Sequence, residues 1–251
     1  MLNNIMIGRY YPVRSKIHFM HPLSKIICTI LFIVMTFIVN TIELNLFLCG
    51  LTLLMIFMSN VPFSIYFKAI KSLKILIIFI VIINLIFSST LDIVIIMILR
   101  LILIVIYTTI LTLTTPPNEI TYGLELLLAP LKLIGIPVNK TALSISLALK
   151  FIPTIIDQGN KILKSQASRG IDYDNSRIKG KFMALKAMLF PMFVLTLKRA
   201  DQLADIMEVR LYNINERRTN FRINKWHFFD TYLVLIHLTL LVVMVVSEVV
   251  I

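Results

Sequence analysis

Three sets of residues in this sequence have the types and spacing to do chemistry. Asp201, Asp205 and Glu208 fall at i, i+4 and i+7. That spacing stacks three carboxylates on one helix face, as a metal or proton-transfer site would need. Lys198 and Arg199 stand just before them, so a solvated, ion-paired face explains the same pattern. His18 and His21 are three residues apart in a loop-like segment without a further ligand nearby, and read as solvated or structural. The third set is a pair of arginines, Arg169 in "SQASRGID" and Arg210 in "DIMEVRLYN". Each closes a long segment of helical periodicity. A guanidinium is a planar five-donor fork suited to carboxylates and backbone carbonyls. At a helix end it also complements the dipole in plain solvent. Local sequence leaves both readings open.

The elements that must position these residues follow from hydropathy. The chain has 251 residues, 58% of them hydrophobic and 15% charged, with a mean hydropathy of +0.90. Soluble domains run at about 25% charged, so this is an integral membrane composition. Five segments are apolar enough for spans: residues 24–40, 44–60, 75–91, 93–115 and 228–251. Trp226, Phe228, Phe229 and Tyr232 would form an aromatic belt at the start of the last. If the five alternate, 24 of the 25 basic residues share one side, while Glu43, Asp92 and Glu248 lie on the other. The positive-inside bias then puts the N-terminus in the cytoplasm and the C-terminus outside. The same distribution accounts for the net charge of +12 without nucleic acid. Arg100 is the exception, a charge within a span. It either snorkels toward headgroups or serves a function.

Residues 116–227 are too polar to span repeatedly and too apolar for a solvated loop. They read as three helices at about 118–134, 139–168 and 181–211, the first interfacial, the other two amphipathic with Pro153 and Pro191 as kinks. Met183, Met188 and Met192 give the third an adaptable apolar surface of the kind that contacts another protein. The expected fold is therefore all-α: an N-terminal membrane domain (1–115), a cytoplasmic helical domain (116–227) and a C-terminal span (228–251).

Much chemistry is missing. The chain has no Gly-x4-Gly-Lys-Ser/Thr loop, no His-Glu-x-x-His, no Cys-x-x-Cys and no glycine-rich dinucleotide turn. Cys28 and Cys49 sit singly in apolar runs and match no metal or disulfide spacing. Any energy for uphill work must come from a partner.

The opening "IGRYYPVRSKIHFMHPLSKI", with Gly8, Tyr11, Pro12, Ser15, His18, Pro22 and Lys25 in place, resembles that of the transmembrane coupling (T) component of energy-coupling factor transporters. The arrangement of four spans, a cytoplasmic helical insert and a last span is similar as well. Ser168-Arg169-Gly170 and Val209-Arg210-Leu211 look like the family's two X-Arg-X motifs. The chain departs from the pattern in Ser168 before the first arginine, in bulky Val209 and Leu211 around the second, and in His21 before Pro22. The resemblance implies a non-catalytic scaffold in a bacterial cell membrane. Its six motif residues would bind two ABC-type ATPase subunits, and its apolar insert would cradle a small substrate-binding membrane protein, the S component. ATP and Mg would sit on the ATPases, with no cofactor or metal bound by this chain, and the cargo would be a vitamin or metal ion. Two other classes remain on the residues alone. One is a membrane-interface enzyme acting on lipid or isoprenoid, which would use the acidic set. The other is a stand-alone channel or carrier, for which the spans offer only Asn84, Arg100, His237 and scattered Ser and Thr.

Overall fold

A computed structural model describes residues 10–86, 90–130, 138–170, 178–213 and 225–250. They form α1 (Pro22–Ile38), α2 (Ile42–Ser59), α3 (Phe63–Ser72), α4 (Lys74–Ile86), α5 (Leu91–Thr114), α6 (Pro117–Leu127), α7 (Val138–Ala167), α8 (Ile178–Val209) and α9 (Phe228–Val250), with no strand among the described residues. Two compact units result. One holds α1–α6 and α9, the other α7 and α8. Three helices, Ile42–Ser59, Leu91–Thr114 and Phe228–Glu248, are long and apolar enough to cross a membrane. Pro22–Ile38 and Lys74–Asn84 are shorter apolar helices. The chain is thus the all-α membrane protein its composition demands.

In the larger unit α1 is central, packing on α5, α6 and α9. Phe32, Met35 and Val39 are wholly buried along it. Phe32 stacks on Tyr107 of α5 with centroids 4.1 Å apart. The Tyr107 hydroxyl reaches Nε2 of His237 on α9 at 2.7 Å. Nδ1 of His237 lies 2.8 Å from the Leu233 carbonyl, which can only accept. The ring is therefore the Nδ1–H tautomer, and the tyrosine donates to Nε2. His237 is a polar tie between spans, as apolar surroundings favour. Other buried polar side chains turn back onto their own helices. Thr29 donates to Lys25 O, Thr52 to Cys49 O and Thr114 to Ile110 O, all within 2.8 Å.

The helix ends of this unit are closed by side chains from other helices. Asp230, fully buried at the third position of α9, accepts through Oδ2 from its own N-cap amide, His227 N, at 2.8 Å. This is half of a capping box. Its Oδ1 takes His21 N at 2.9 Å and Ser24 Oγ at 2.7 Å at the start of α1. One carboxylate thus faces the positive ends of two parallel helices. Lys25, counted above among the cytoplasmic flank charges, is instead only 5% exposed. Its Nζ donates to Thr114 O (3.1 Å), Thr115 Oγ1 (3.2 Å) and His18 O (3.3 Å), neutralising the C-terminus of α5.

The other end mirrors this. Arg100 of α5 neither snorkels freely nor faces a pore. Its Nη2 donates to Val39 O, the C-cap of α1, at 2.9 Å, and to Asn40 Oδ1 at 3.3 Å. Its guanidinium lies 5.6 Å from the centre of the Phe37 ring. Glu248 of α9 accepts from Asn40 N (2.7 Å) and Thr41 N (3.3 Å), at the N-terminus of α2.

The two histidines of the opening segment, His18 and His21, are structural. Nδ1 of His21 accepts from Leu23 N at 3.2 Å and caps α1. His18 donates from Nε2 to Tyr11 O at 2.9 Å and accepts at Nδ1 from Ser15 Oγ at 2.7 Å. Both rings must be neutral to accept, and burial lowers both pKa values.

The segment grouped above with the later helices, α6, packs on α1 instead. Gly123 permits this. A Cβ there would lie 2.7 Å from Ile26 Cδ1, 3.1 Å from Pro22 C and 3.2 Å from Leu23 N. Of the expected extent 118–134, α6 accounts for the residues up to Leu127, and residues 131–137 lie outside the described residues.

Three outcomes are expected. Gly123→Ala must push backbone away from backbone and should destabilise by about 1–3 kcal/mol, read as a lower melting temperature in detergent. Arg100→Gln and Glu248→Gln act on one turn, so a double-mutant cycle should give a coupling of about 0.5 kcal/mol or more; strict additivity would contradict a shared clasp. Because His18 and His21 have lowered folded pKa values, the unfolded chain binds more protons as pH falls through about 6.5. Melting temperature should therefore drop between pH 7.5 and 5.5, and His18→Gln with His21→Asn should flatten that drop.

Candidate docking site at two helix ends

The smaller unit consists of two long helices, α7 of 30 residues and α8 of 32, packed on each other. At 1.5 Å per residue each is about 45 Å long or more. Both run continuously through their prolines, Pro153 and Pro191. Their boundaries fall within a few residues of those expected from periodicity.

Their C-terminal ends are built alike. In α7, Ser168 N bonds Lys164 O at 3.2 Å, Arg169 N bonds Gln166 O at 3.1 Å, and Gly170 N bonds Ala167 O at 3.0 Å. Gly170 is left-handed, with φ +88°. In α8, Arg210 N bonds Ile206 O at 3.1 Å, Leu211 N bonds Glu208 O at 2.8 Å, and Tyr212 N bonds Met207 O at 2.9 Å. The last two bonds are the 5→2 and 6→1 pair of a Schellman turn. Leu211 is its left-handed residue, with φ +54°. In each end the arginine immediately precedes the left-handed position. Glycine suits that position; a leucine there costs about 1–2 kcal/mol.

Every residue of both triplets is exposed: Ser168, Arg169, Gly170, Val209, Arg210 and Leu211. Val209 is 82% and Leu211 91% accessible. Among the described residues neither guanidinium has a hydrogen bond or ion pair. Ser168 Oγ donates to Ser165 O at 2.8 Å, so its hydroxyl is spent on its own helix. Each end thus presents an unengaged five-donor fork on a rigid rod. The helix dipole adds attraction for the cation but directs nothing toward a partner.

The methionine surface is less prominent than the sequence implied. Met188 and Met192 are half-buried, and the Met183 side chain lies outside the described residues. The exposed apolar side chains of α8 are aromatic and branched: Phe190 (74%), Phe193 (62%), Leu197 (50%) and Leu189 (45%). With Lys186, Met192 and Thr196, three of them line a shallow groove. Their spacing of three and four was the available signal. Asp201, Asp205 and Glu208 are exposed, and among the described residues no three His, Cys, Asp or Glu side chains are grouped to hold a metal ion.

Comparison with known proteins converges. Residues 13–221 match the family described as CbiQ, cobalt transport protein. The chain is 34% identical to the energy-coupling factor transporter transmembrane protein EcfT of Listeria innocua, covering 94% of this chain and 95% of that protein. The Bacillus subtilis protein of the same name is 33% identical over 92% and 93%, and that of Macrococcus caseolyticus 36% identical over 96% and 98%. With an all-helical, multi-pass apolar architecture and matches along nearly its whole length, the chain belongs to the CbiQ family, as a transmembrane component of the energy-coupling factor type of transporter.

Proposed function

We propose that this chain is the non-catalytic scaffold of an ATP-driven importer. The α7 and α8 ends dock two ABC-type ATPase subunits through Arg169 and Arg210. A separate small substrate-binding membrane protein, the S component, contacts apolar residues of α8, with Met183, Met188 and Met192 as the candidates that the sequence offers. The cargo that component selects is a vitamin or a metal ion. ATP and Mg reside on the ATPases, and closure of those subunits pulls the two helix ends and tilts the S component to release its cargo. The protein sits in a bacterial cell membrane with its N-terminus in the cytoplasm and its C-terminus outside.

One observation carries this reading. In two long helices an arginine stands immediately before the left-handed residue that closes the helix, exposed and unengaged. A structural stop would not need the repetition, because a helix can end without arginine. The sequence has no phosphate-binding loop of the Gly-x4-Gly-Lys-Ser/Thr type, which is consistent with ATP chemistry on partner subunits.

The test is assembly and uptake in the membrane. Arg169→Ala and Arg210→Ala should each weaken co-purification of the ATPase subunits. A desolvated arginine contact contributes about 2 kcal/mol or more, which corresponds to roughly 30-fold in affinity. The double variant should abolish ATP-dependent uptake while the melting temperature of the isolated chain stays unchanged. Normal assembly and uptake by both singles and the double would refute the docking.

A further inference from the structure

In the larger unit, the opening segment and the approach to α9 enclose a cavity that none of the contacts above uses. Its volume is about 680 Å³, and Arg14, His18, Glu119, Lys225 and His227 are among the residues that line it. A second hollow of about 540 Å³ adjoins it, walled by Lys16, Phe19, Met20 and Phe229. Phe19, Met20 and His227 line both, so a charged cavity and a mainly apolar groove share one wall. That wall is fixed from behind. Tyr11 N bonds Leu113 O at 2.9 Å, His18 donates to Tyr11 O at 2.9 Å, and Ile17 and Met20 are buried. Across from it, the Trp226 ring lies 5.2 Å from that of His21, and its Nε1 donates to Thr231 Oγ1 at 2.7 Å.

The charges do not cancel. Arg14, Lys16 and Lys225 are exposed, and among the described residues none of them has a hydrogen bond or ion pair. Two carboxylates border the hollows, and both are engaged elsewhere. Glu119 stands in the first turn of α6 and acts on the buried Lys25. Asp230 already accepts from three donors. The location selects the occupant. His227 and Phe229 belong to the aromatic start of α9, with Trp226 and Phe228 beside them, the level at which headgroups meet acyl chains. Phe228 is 97% and Phe19 69% accessible. A soluble anion would leave the apolar groove bare, and an acyl chain alone would leave three cations unpaired. We propose that the two hollows together bind one anionic glycerophospholipid of the surrounding bilayer. Arg14 and Lys225 take its phosphate, for which the guanidinium fork is suited, and an acyl chain lies along Phe19, Met20 and Phe229, with Lys16 as a third cation. The lipid thereby ties the opening segment to the start of α9.

Trp226 is the chain's one tryptophan and adjoins both Lys225 and His227, so its fluorescence reports on this site. The full-length chain is reconstituted in phosphatidylcholine vesicles containing increasing fractions of brominated phosphatidylglycerol or, in parallel, brominated phosphatidylcholine. Phosphatidylglycerol should reach half-maximal quenching at a mole fraction about fivefold lower or more. Arg14→Gln combined with Lys225→Gln should erase the difference, and Phe19→Gln should move the phosphatidylglycerol curve to higher mole fraction. Lys68→Gln combined with Lys71→Gln removes the same charge from α3 and should leave the preference intact. Equal curves for the two lipids would overturn the site. So would a loss of preference as large in the α3 variant, because diffuse surface charge would then be the cause. Inorganic phosphate exchanged for chloride at constant ionic strength should change nothing; displacement of the quenching lipid by it would assign the cavity to a soluble anion instead. Quenching by neither lipid would place the groove against another protein surface and refute the proposal.

Discussion

A helix end buried in protein has no water to satisfy its last carbonyls or first amides, and each orphan group there costs about 1–3 kcal/mol. The larger unit is organised around this constraint. Charged side chains meet it by reaching from one helix to the end of another, Asp230 closing the start of its own helix as well. Lys25 of α1 serves the C-terminus of α5, and Arg100 of α5 serves the C-terminus of α1. These two antiparallel helices exchange cations for carbonyls. Asp230 and Glu248, near opposite ends of α9, serve the amides at the starts of α1 and α2. Charges that would be expensive alone are placed where partial charges of opposite sign already wait.

This construction divides labour between the units. The helices of the larger unit spend their ionic groups on one another. The ends of α7 and α8 do the reverse: their carbonyls and amides are satisfied by tight backbone turns, so both arginines stay unengaged. A glycine can make such a turn alone, and it costs the chain no side chain. Four helix ends of the larger unit are thus met by charged side chains, whereas the ends of α7 and α8 are closed by backbone.

Much of this was readable in the sequence because it rests on local rules. Hydropathy marks α2, α5 and α9 directly, and Gly170 marks the end of α7 through its conformational freedom. The common place of Arg169 and Arg210 after periodic segments was visible, but reading them as a pair came from the resemblance. Other features were not readable. Lys25 looked like a flanking charge because nothing nearby in sequence reveals that Thr114 lies opposite it. Arg100 looked like an intruder for the same reason. The placement of α6 depends on how closely Gly123 approaches Pro22 and Leu23, a distance set by tertiary packing. Leu211 was visible as a bulky neighbour of an arginine, but its left-handed backbone is not encoded by residue type; the residue type argues against it.

Asp230 also has a meaning in time. The amide of His21 and the carboxylate that receives it are 209 residues apart. Translation delivers α1 to the membrane long before α9 exists, with α7 and α8 made in between. Until then the N-terminal amides of α1 must be shared with lipid headgroups, water or insertion machinery. The central helix is thus made first among the described helices and is closed only after eight of the nine have been made. A ribosome that stalls before residue 230 leaves behind a nascent chain whose core helix is chemically open at one end, a state that quality-control proteases and chaperones of the membrane could distinguish from the completed protein.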